Sequence, residues 1–467
     1  MSRTREVAAL PARVVGRRPR RFGRFALAAL ILLCGLTLLL GFANKDRCTG
    51  PTFDQWGRSA PDYEKRNKSE VCYSDIQHLW IGRDIDRHVF PYVDGGIDSK
   101  GVLTGGTVEY PVLTGLLIWA GAVFAHTDAA FLLFSALLMA PFGLATAWLL
   151  GKLSGWRALL WAIGPPMVLY AFHNWDLPVA FCSVAAVYVV HRGWGRTPRP
   201  LVDRAVVAAV LLGLGFAFKI YPAAFVLPLC LYVLTGGREG LAGGKYDWPG
   251  AVKVALASAV TVVLVNLPFA VLGFAGWQAS FTFQQLRRVD ITTNSIWFWS
   301  MRPFMPDESM QAVVGVLSPV GILGSFALAC WLGWRRCRRE GVYPWVPVSA
   351  AMLCGFLLLH KVHSPQYTLW LVPMFVLLRI PLGWVFAYFA ADIAMGVGIF
   401  RWYYAIEFGQ PSGIYDGLSA QAVVIGVWGR AALLVALFFV FLRAQVAFRD
   451  RPLDRFLPVT SDEKAKR

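Results

Sequence analysis

Apolar runs close to the length of a membrane-spanning helix recur along most of the 467 residues. A helix needs about 20 apolar residues to cross the ~30 Å hydrocarbon core of a bilayer. Inside that core every backbone N–H and C=O must be bonded within the protein, which leaves only helices or a closed barrel. The alternating ten-residue strands of a barrel are not present in the sequence. Hydrophobic residues make up 57% of the chain and charged residues 16%, where a soluble domain carries about a quarter charged residues. The reading is an all-α polytopic membrane protein with about 12 crossings. They fall near 25–43, 129–150, 157–172, 176–192, 204–218, 221–236, 250–273, 311–333, 344–360, 365–379, 382–400 and 421–443.

The net charge of +17 is not spread as a nucleic-acid surface would be. Arginines crowd into residues 1–24, His191–Arg199, Arg335–Arg339 and the segment after Arg443, each between or beyond apolar runs. That is the positive-inside pattern, with basic loops held against anionic lipid, and no nucleic-acid partner is expected. The run 111–125 is apolar but short. Counting it as a crossing would put the basic loops near 152–157 and 192–204 outside, so it is assigned to a helix on the outer face. Residues 1–24 are then a basic cytoplasmic segment, 25–443 a single membrane domain whose first extracytoplasmic loop is 44–128, and 444–467 a cytoplasmic tail. The first helix is taken as an uncleaved anchor.

With this threading, the unusual side chains gather on one side, in 44–110, His173–Asp176, Lys219–Pro222, 274–310, His360–Tyr367 and 401–420. A transporter tends to place polar groups at the midplane of two related halves, and no internal repeat is visible here. Of the eight cysteines, Cys48 and Cys72 share the first loop, where an oxidising exterior permits a disulfide.

Four short motifs appear in a fixed order on that side: Tyr73-Ser-Asp-Ile76; Pro91-Tyr92 followed by Glu109-Tyr-Pro111; Lys219-Ile-Tyr-Pro222; and Ser364-Pro-Gln-Tyr-Thr-Leu-Trp370. Their order resembles the GT-C superfamily of integral-membrane glycosyltransferases. It is most similar to the polyprenyl-phosphate-sugar-dependent group that includes bacterial α-1,2-mannosyltransferases, glycosyltransferase family 87. The resemblance implies a lipid-linked sugar donor, a glycolipid or glycan acceptor, transfer on the extracytoplasmic side of a bacterial plasma membrane, and an acidic catalytic base in the first outer loop. Asp75 is the matching position. Metal-dependent relatives carry paired acids. Asp84-Ile-Asp86 has that spelling, but positions two apart on a helix do not face the same way. No cofactor and no metal are expected.

Glycosyl transfer from a phosphate needs a base for the acceptor hydroxyl and cations or donors for the departing phosphate. Asp75 is the expected base, with Glu109 next in line. Lys219, which interrupts an apolar stretch, is the expected phosphate ligand. Arg287 and Arg288, and the cluster of His360, Lys361 and His363, are further candidates, the latter at a helix start. Tyr110, Asp176, Gln366 and Arg401 complete the expected substrate-binding set, Arg401 opening the last outer loop beside sugar-stacking aromatics. Asp392, inside an apolar helix, is read as an interhelical hydrogen bond. An arabinofuranosyl transferase of the same fold, a transporter or flippase of lipid-linked intermediates, and an inactive sugar-binding subunit are the alternatives.

Overall fold

The structure is a computed structural model that describes residues 22–193, 199–241 and 244–448. Most of the N-terminal arginine block, the middle of the 191–199 loop and the tail beyond 448 lie outside the described residues.

The twelve expected crossings correspond in order to helical segments. Seven helices are long and apolar enough to span: α1 (Arg24–Asp46), α5 (Asp128–Ser154, continued by turns to Ala162), α9 (Leu201–Phe218), α11 (Trp248–Leu272), α14 (Asp307–Glu340), α17 (Leu382–Glu407) and α18 (Leu418–Arg443). The other five positions hold shorter or broken helices. They are α6 (Leu159–Ala162) with α7 (Pro165–Tyr170), α8 (Leu177–Arg192), a 3₁₀ turn leading into α10 (Val226–Leu234), α15 (Trp345–Leu359), and a 3₁₀ turn leading into α16 (Thr368–Leu377).

These helices form two layers. α15 is buried from Trp345 to Leu357 and α16 along its whole length. α11 and α14 instead expose rows of large apolar side chains, among them Val260, Val263, Leu264, Val320 and Leu323. A surface of that kind belongs in lipid, so α11 and α14 belong to an outer layer, while α8, α9, α15 and α16 form the protected interior. Beyond the helices, the described residues hold only three two-residue antiparallel pairings.

The first loop is a folded cap. It carries α2 (Tyr63–Ser69), α3 (Asp75–Gly82) and α4 (Val112–Ala122). A bond between Cys48 and Cys72 ties it to the end of α1, with their Cα atoms 6.2 Å apart. Farther along, Asp128 at the start of α5 accepts from the Ser59 hydroxyl at 2.6 Å and pairs with Arg58 at 3.2 Å. α4 is only 11 residues long, about 16 Å at 1.5 Å per residue, too short to cross. It does not lie free on the surface either, because Thr114, Gly115 and Ile118 are buried and Thr114 donates to the Phe218 carbonyl at the end of α9 (2.7 Å).

α4 and α12 (Phe274–Leu286) clamp Tyr92 between two glycines. A Cβ on Gly115 would stand 2.1 Å from the Tyr92 hydroxyl, and one on Gly276 2.1 Å from the Tyr92 carbonyl. That hydroxyl donates to the Tyr110 carbonyl at 2.8 Å, so the clamp fixes where Tyr110 stands. Gly115→Ala is expected to lower stability by about 1–3 kcal/mol through overpacking, read as a drop in the thermal midpoint of the detergent-purified protein.

Candidate active site

The site is assembled from chain ends that the short helices bring to one level. Ser74 caps α3: its Oγ accepts from the Ile76 N–H at 3.2 Å and donates to the Phe172 carbonyl at 2.7 Å. The Asp75 N–H donates to the His173 carbonyl at 2.8 Å. Because Ser74 does the capping, the Asp75 carboxylate is free to make other contacts. Its Oδ1 accepts from the Tyr73 hydroxyl at 2.9 Å and its Oδ2 from the Asn174 Nδ2 at 2.6 Å. Lys45, in the last turn of α1, donates to the Tyr73 carbonyl at 2.8 Å.

Asn174 continues the network. Its Nδ2 also donates to the Tyr110 hydroxyl at 2.8 Å, and its Oδ1 accepts from the Lys219 Nζ at 2.8 Å. Lys219 lies 3.7 Å from Asp176 and 4.3 Å from the centre of the Tyr110 ring. The Asp176 Oδ1 in turn accepts from the Trp370 indole at 2.8 Å. Asp176 is fully buried and Lys219 is 8% exposed, while Asp75 is half-buried. The result is a chain of carboxylate, amide, ammonium and carboxylate, open at the Asp75 end. Burial holds the Tyr73 and Tyr110 hydroxyls well above their ordinary range, with Asp75 adding to both shifts. They therefore remain hydrogen-bond donors. Burial also raises the Asp176 carboxyl, an effect that Lys219 opposes.

The structure links Asp75, Tyr110, Asp176 and Lys219 in one network through Asn174, and the other candidates make the following contacts outside it. Glu109 points elsewhere: Arg83 holds it at 2.9 Å, and its backbone carbonyl accepts from Gln284 on α12. Arg288 pairs on the exposed surface with Asp307. Arg287 donates to Thr292 at 3.2 Å, and its charge reaches Tyr367. Gln366 is buried in the turn before α16, with its Oε1 unpartnered among the described residues.

Two expectations are corrected. His360, Lys361 and His363 do not form a cluster of cations. Burial pushes the His360 imidazole down to about 4 and His363 well below its ordinary value, so both rings are neutral near pH 7. Lys361 is turned onto the carbonyls of Gln284, Gln285 and Arg287 at the end of α12. Arg401 does not open a loop. α17 continues to Glu407, leaving Arg401 exposed on a helix, while Trp402 and Tyr403 bond the carbonyls of Ser412 and Ile291.

Tyr73 and Trp370 fall within the sequence motifs and Asn174 within the His173–Asp176 stretch, none of them with an expected role. The available signal was polar side chains flanking an acid at the boundary of an apolar run, as in Tyr73-Ser-Asp75 and Asn174-Trp-Asp176. Asp84 accepts from the Gly105 N–H at 3.0 Å and pairs with Arg87. Among the described residues no three His, Cys, Asp or Glu side chains stand together as a metal-ligand set.

The described residues thus form a helical membrane body that presents a half-buried carboxylate, joined through an amide to a buried ammonium. The model of glycosyltransferase family 87 matches residues 109–365, more than half of the sequence, and the chain belongs to that family. The chain also matches a crystal structure of the Archaeoglobus fulgidus oligosaccharyltransferase tethered with an acceptor peptide containing the NVT sequon, at 14% identity and a TM-score of 0.37. That match covers 95% of this chain and 58% of the other, so the chain spans less than two thirds of that protein's length.

Glu109→Gln is expected to keep turnover within about threefold of wild type, because its carboxylate serves Arg83 rather than a reacting group. Steady-state transfer rates of the two proteins check this, and a loss of 10²-fold or more would return Glu109 to the role of base.

Proposed function

We propose that this protein is an inverting glycosyltransferase. It takes a sugar, mannose on the family resemblance, from a polyprenyl monophosphate carrier and passes it to a glycolipid or glycan hydroxyl on the extracytoplasmic side of a bacterial plasma membrane. The observation that carries the reading is the Asp75 carboxylate, half-buried and held at both oxygens by Tyr73 and Asn174. A carboxylate fixed in this way is pre-aimed, which is what general-base catalysis requires.

In the proposed step the acceptor hydroxyl gives its proton to Asp75 as its oxygen bonds the anomeric carbon. The bond from that carbon to the phosphate oxygen breaks, and the carrier leaves as a phosphate bearing the developed charge. One displacement inverts the anomeric centre, so a β-linked donor gives an α-linked product. Lys219 supplies positive charge from behind Asn174. It differs from the free phosphate ligand expected from sequence in being already held by Asn174 and Asp176. Arg287, bonded to Thr292, is the cation assigned to direct contact with the phosphate, since a guanidinium fork matches phosphate oxygens.

Asp75→Asn keeps the shape of the side chain and removes its basicity. Turnover of radiolabelled polyprenyl-phosphate sugar is expected to fall by about 10²-fold or more, with donor binding retained. Wild-type turnover in this variant would exclude Asp75 as base. Movement of labelled lipid across proteoliposomes without transfer would favour a transporter. Arg287→Ala is expected to weaken donor binding by about 1.5–3 kcal/mol, as for a lost charged hydrogen bond, with kcat changed far less. Unaltered affinity in a donor titration would place the phosphate elsewhere.

A further inference from the structure

Asn174 is a neutral side chain placed between an anion and a cation. It is 2% exposed and makes four hydrogen bonds: its Nδ2 donates to Asp75 and Tyr110, and its Oδ1 accepts from Lys219 and from the Trp175 N–H. The polarity of these bonds fixes which way the amide faces, because only its nitrogen can donate to a carboxylate and only its oxygen can accept from an ammonium. Lys219 has two anionic neighbours to choose between, and it lies 3.7 Å from Asp176. The other one, Asp75, is joined to it through the Asn174 amide.

We propose that Asn174 is a positioning residue that keeps the Lys219 ammonium off Asp75, so that the carboxylate is oriented for proton transfer without being neutralised by a direct ion pair. The proposal rests on the reading of Asp75 as the base. An aspartate at 174 would set two carboxylates side by side, and a small apolar residue would let the lysine reach across. An amide orients the base and adds no charge of its own. The other ionisable groups around Asp75 are Lys45 from α1, Tyr73, Tyr110, His173, Asp176 and Tyr367. Lys45 is turned onto the Tyr73 carbonyl. Burial holds the His173 imidazole far below its ordinary value, hence neutral, and the three tyrosines are raised, hence uncharged. Lys219 is the charge that substitution at 174 releases.

The test is the acid limb of kcat/KM against pH for the full-length protein in detergent or nanodiscs, with radiolabelled polyprenyl-phosphate sugar as donor. That limb reports the essential base of the free enzyme. Asn174→Ala is expected to move it to lower pH by about one unit or more, since an opposite charge in contact favours the carboxylate. kcat falls by about tenfold or more, and donor KM moves by less than about threefold. Asn174→Asp is expected to move the limb the other way, because a like charge beside Asp75 disfavours its ionisation. Adding Lys219→Met to Asn174→Ala is expected to return the limb toward its wild-type position even though turnover stays low. A purely structural asparagine would lower activity and leave the limb where it was, and a limb that stays put in Asn174→Ala overturns the proposal. If Asn174→Ala does not fold, Asn174→Ser, which also shortens the spacer, decides through the same shift to lower pH. Wild-type turnover in Asp75→Asn would sink the base reading. A fixed limb alongside an inactive Asp75→Asn would sink only the role of Asn174.

Discussion

A lysine ammonium shut away from water needs a partner, and much of this site is arranged around giving Lys219 one. Burying an unpaired charge costs several kcal/mol. Lys219 closes α9 and is buried, with Asp176, Asn174 and the face of Tyr110 as its surroundings. Each of those partners brings its own element. Asp176 and Asn174 belong to the turn between α7 and α8, and Tyr110 stands in the first loop just before α4. Trp370, bonded to Asp176, belongs to α16. Satisfying one charge thus fixes the relative positions of four parts of the chain, and Asp75 is held at the open end of the same set of bonds. Substitutions in this group will be non-additive, as they are in any network that shares its partners.

The helices were legible in the sequence because the bilayer imposes a length and a composition on them. The expected segments correspond in order to those observed, including the short ones at 176–192 and 365–379. Helix ends were less legible. Arg401 and the Arg335–Arg339 block were assigned to loops because they are charged, yet α17 and α14 continue through them. A charged residue ends the part of a helix that lies in lipid without ending the helix itself. The core of the site was half legible. Asp75, Asp176, Lys219 and Tyr110 stood out as polar groups at the edges of apolar runs. Asn174 did not, because an asparagine acquires significance only from its partners, and the Asp75 it bonds is 99 residues away in sequence. The histidines at 360 and 363 were misjudged for a related reason: a sequence does not display burial, and burial decides whether an imidazole carries charge.

The loops around the site are built as carefully as the helices beneath them. The Lys361 ammonium gathers three carbonyls at the end of α12. Gln284, on the same helix end, reaches the Glu109 carbonyl, and Arg83 joins Glu109 to the cap. Helix ends leave carbonyls without partners, and here a lysine from a distant loop supplies them. Glu109, Arg83 and Lys361 therefore form a structural belt that holds the first loop, α12 and the 360–367 turn in register. Charged residues of this sort are easily read as ligands when only their sequence is visible.

The two helical layers bear on how the protein experiences changes in its membrane. α14 has 34 residues and α11 has 25, roughly 51 Å and 38 Å long at 1.5 Å per residue. Both are longer than a hydrocarbon core of about 30 Å, and α14 carries part of its excess in the charged turns Arg335–Glu340. α8 and α16, with 16 and 10 residues, are only about 24 Å and 15 Å long, and lipid scarcely touches them. Asn174 and Asp176 lead into α8 and Trp370 lies on α16, while Lys219 closes the equally protected α9. A change in bilayer thickness therefore reaches the hydrogen bonds between Asp75, Asn174 and Lys219 only through intervening protein, so the inner helices buffer the chemistry against the mechanics of the lipid.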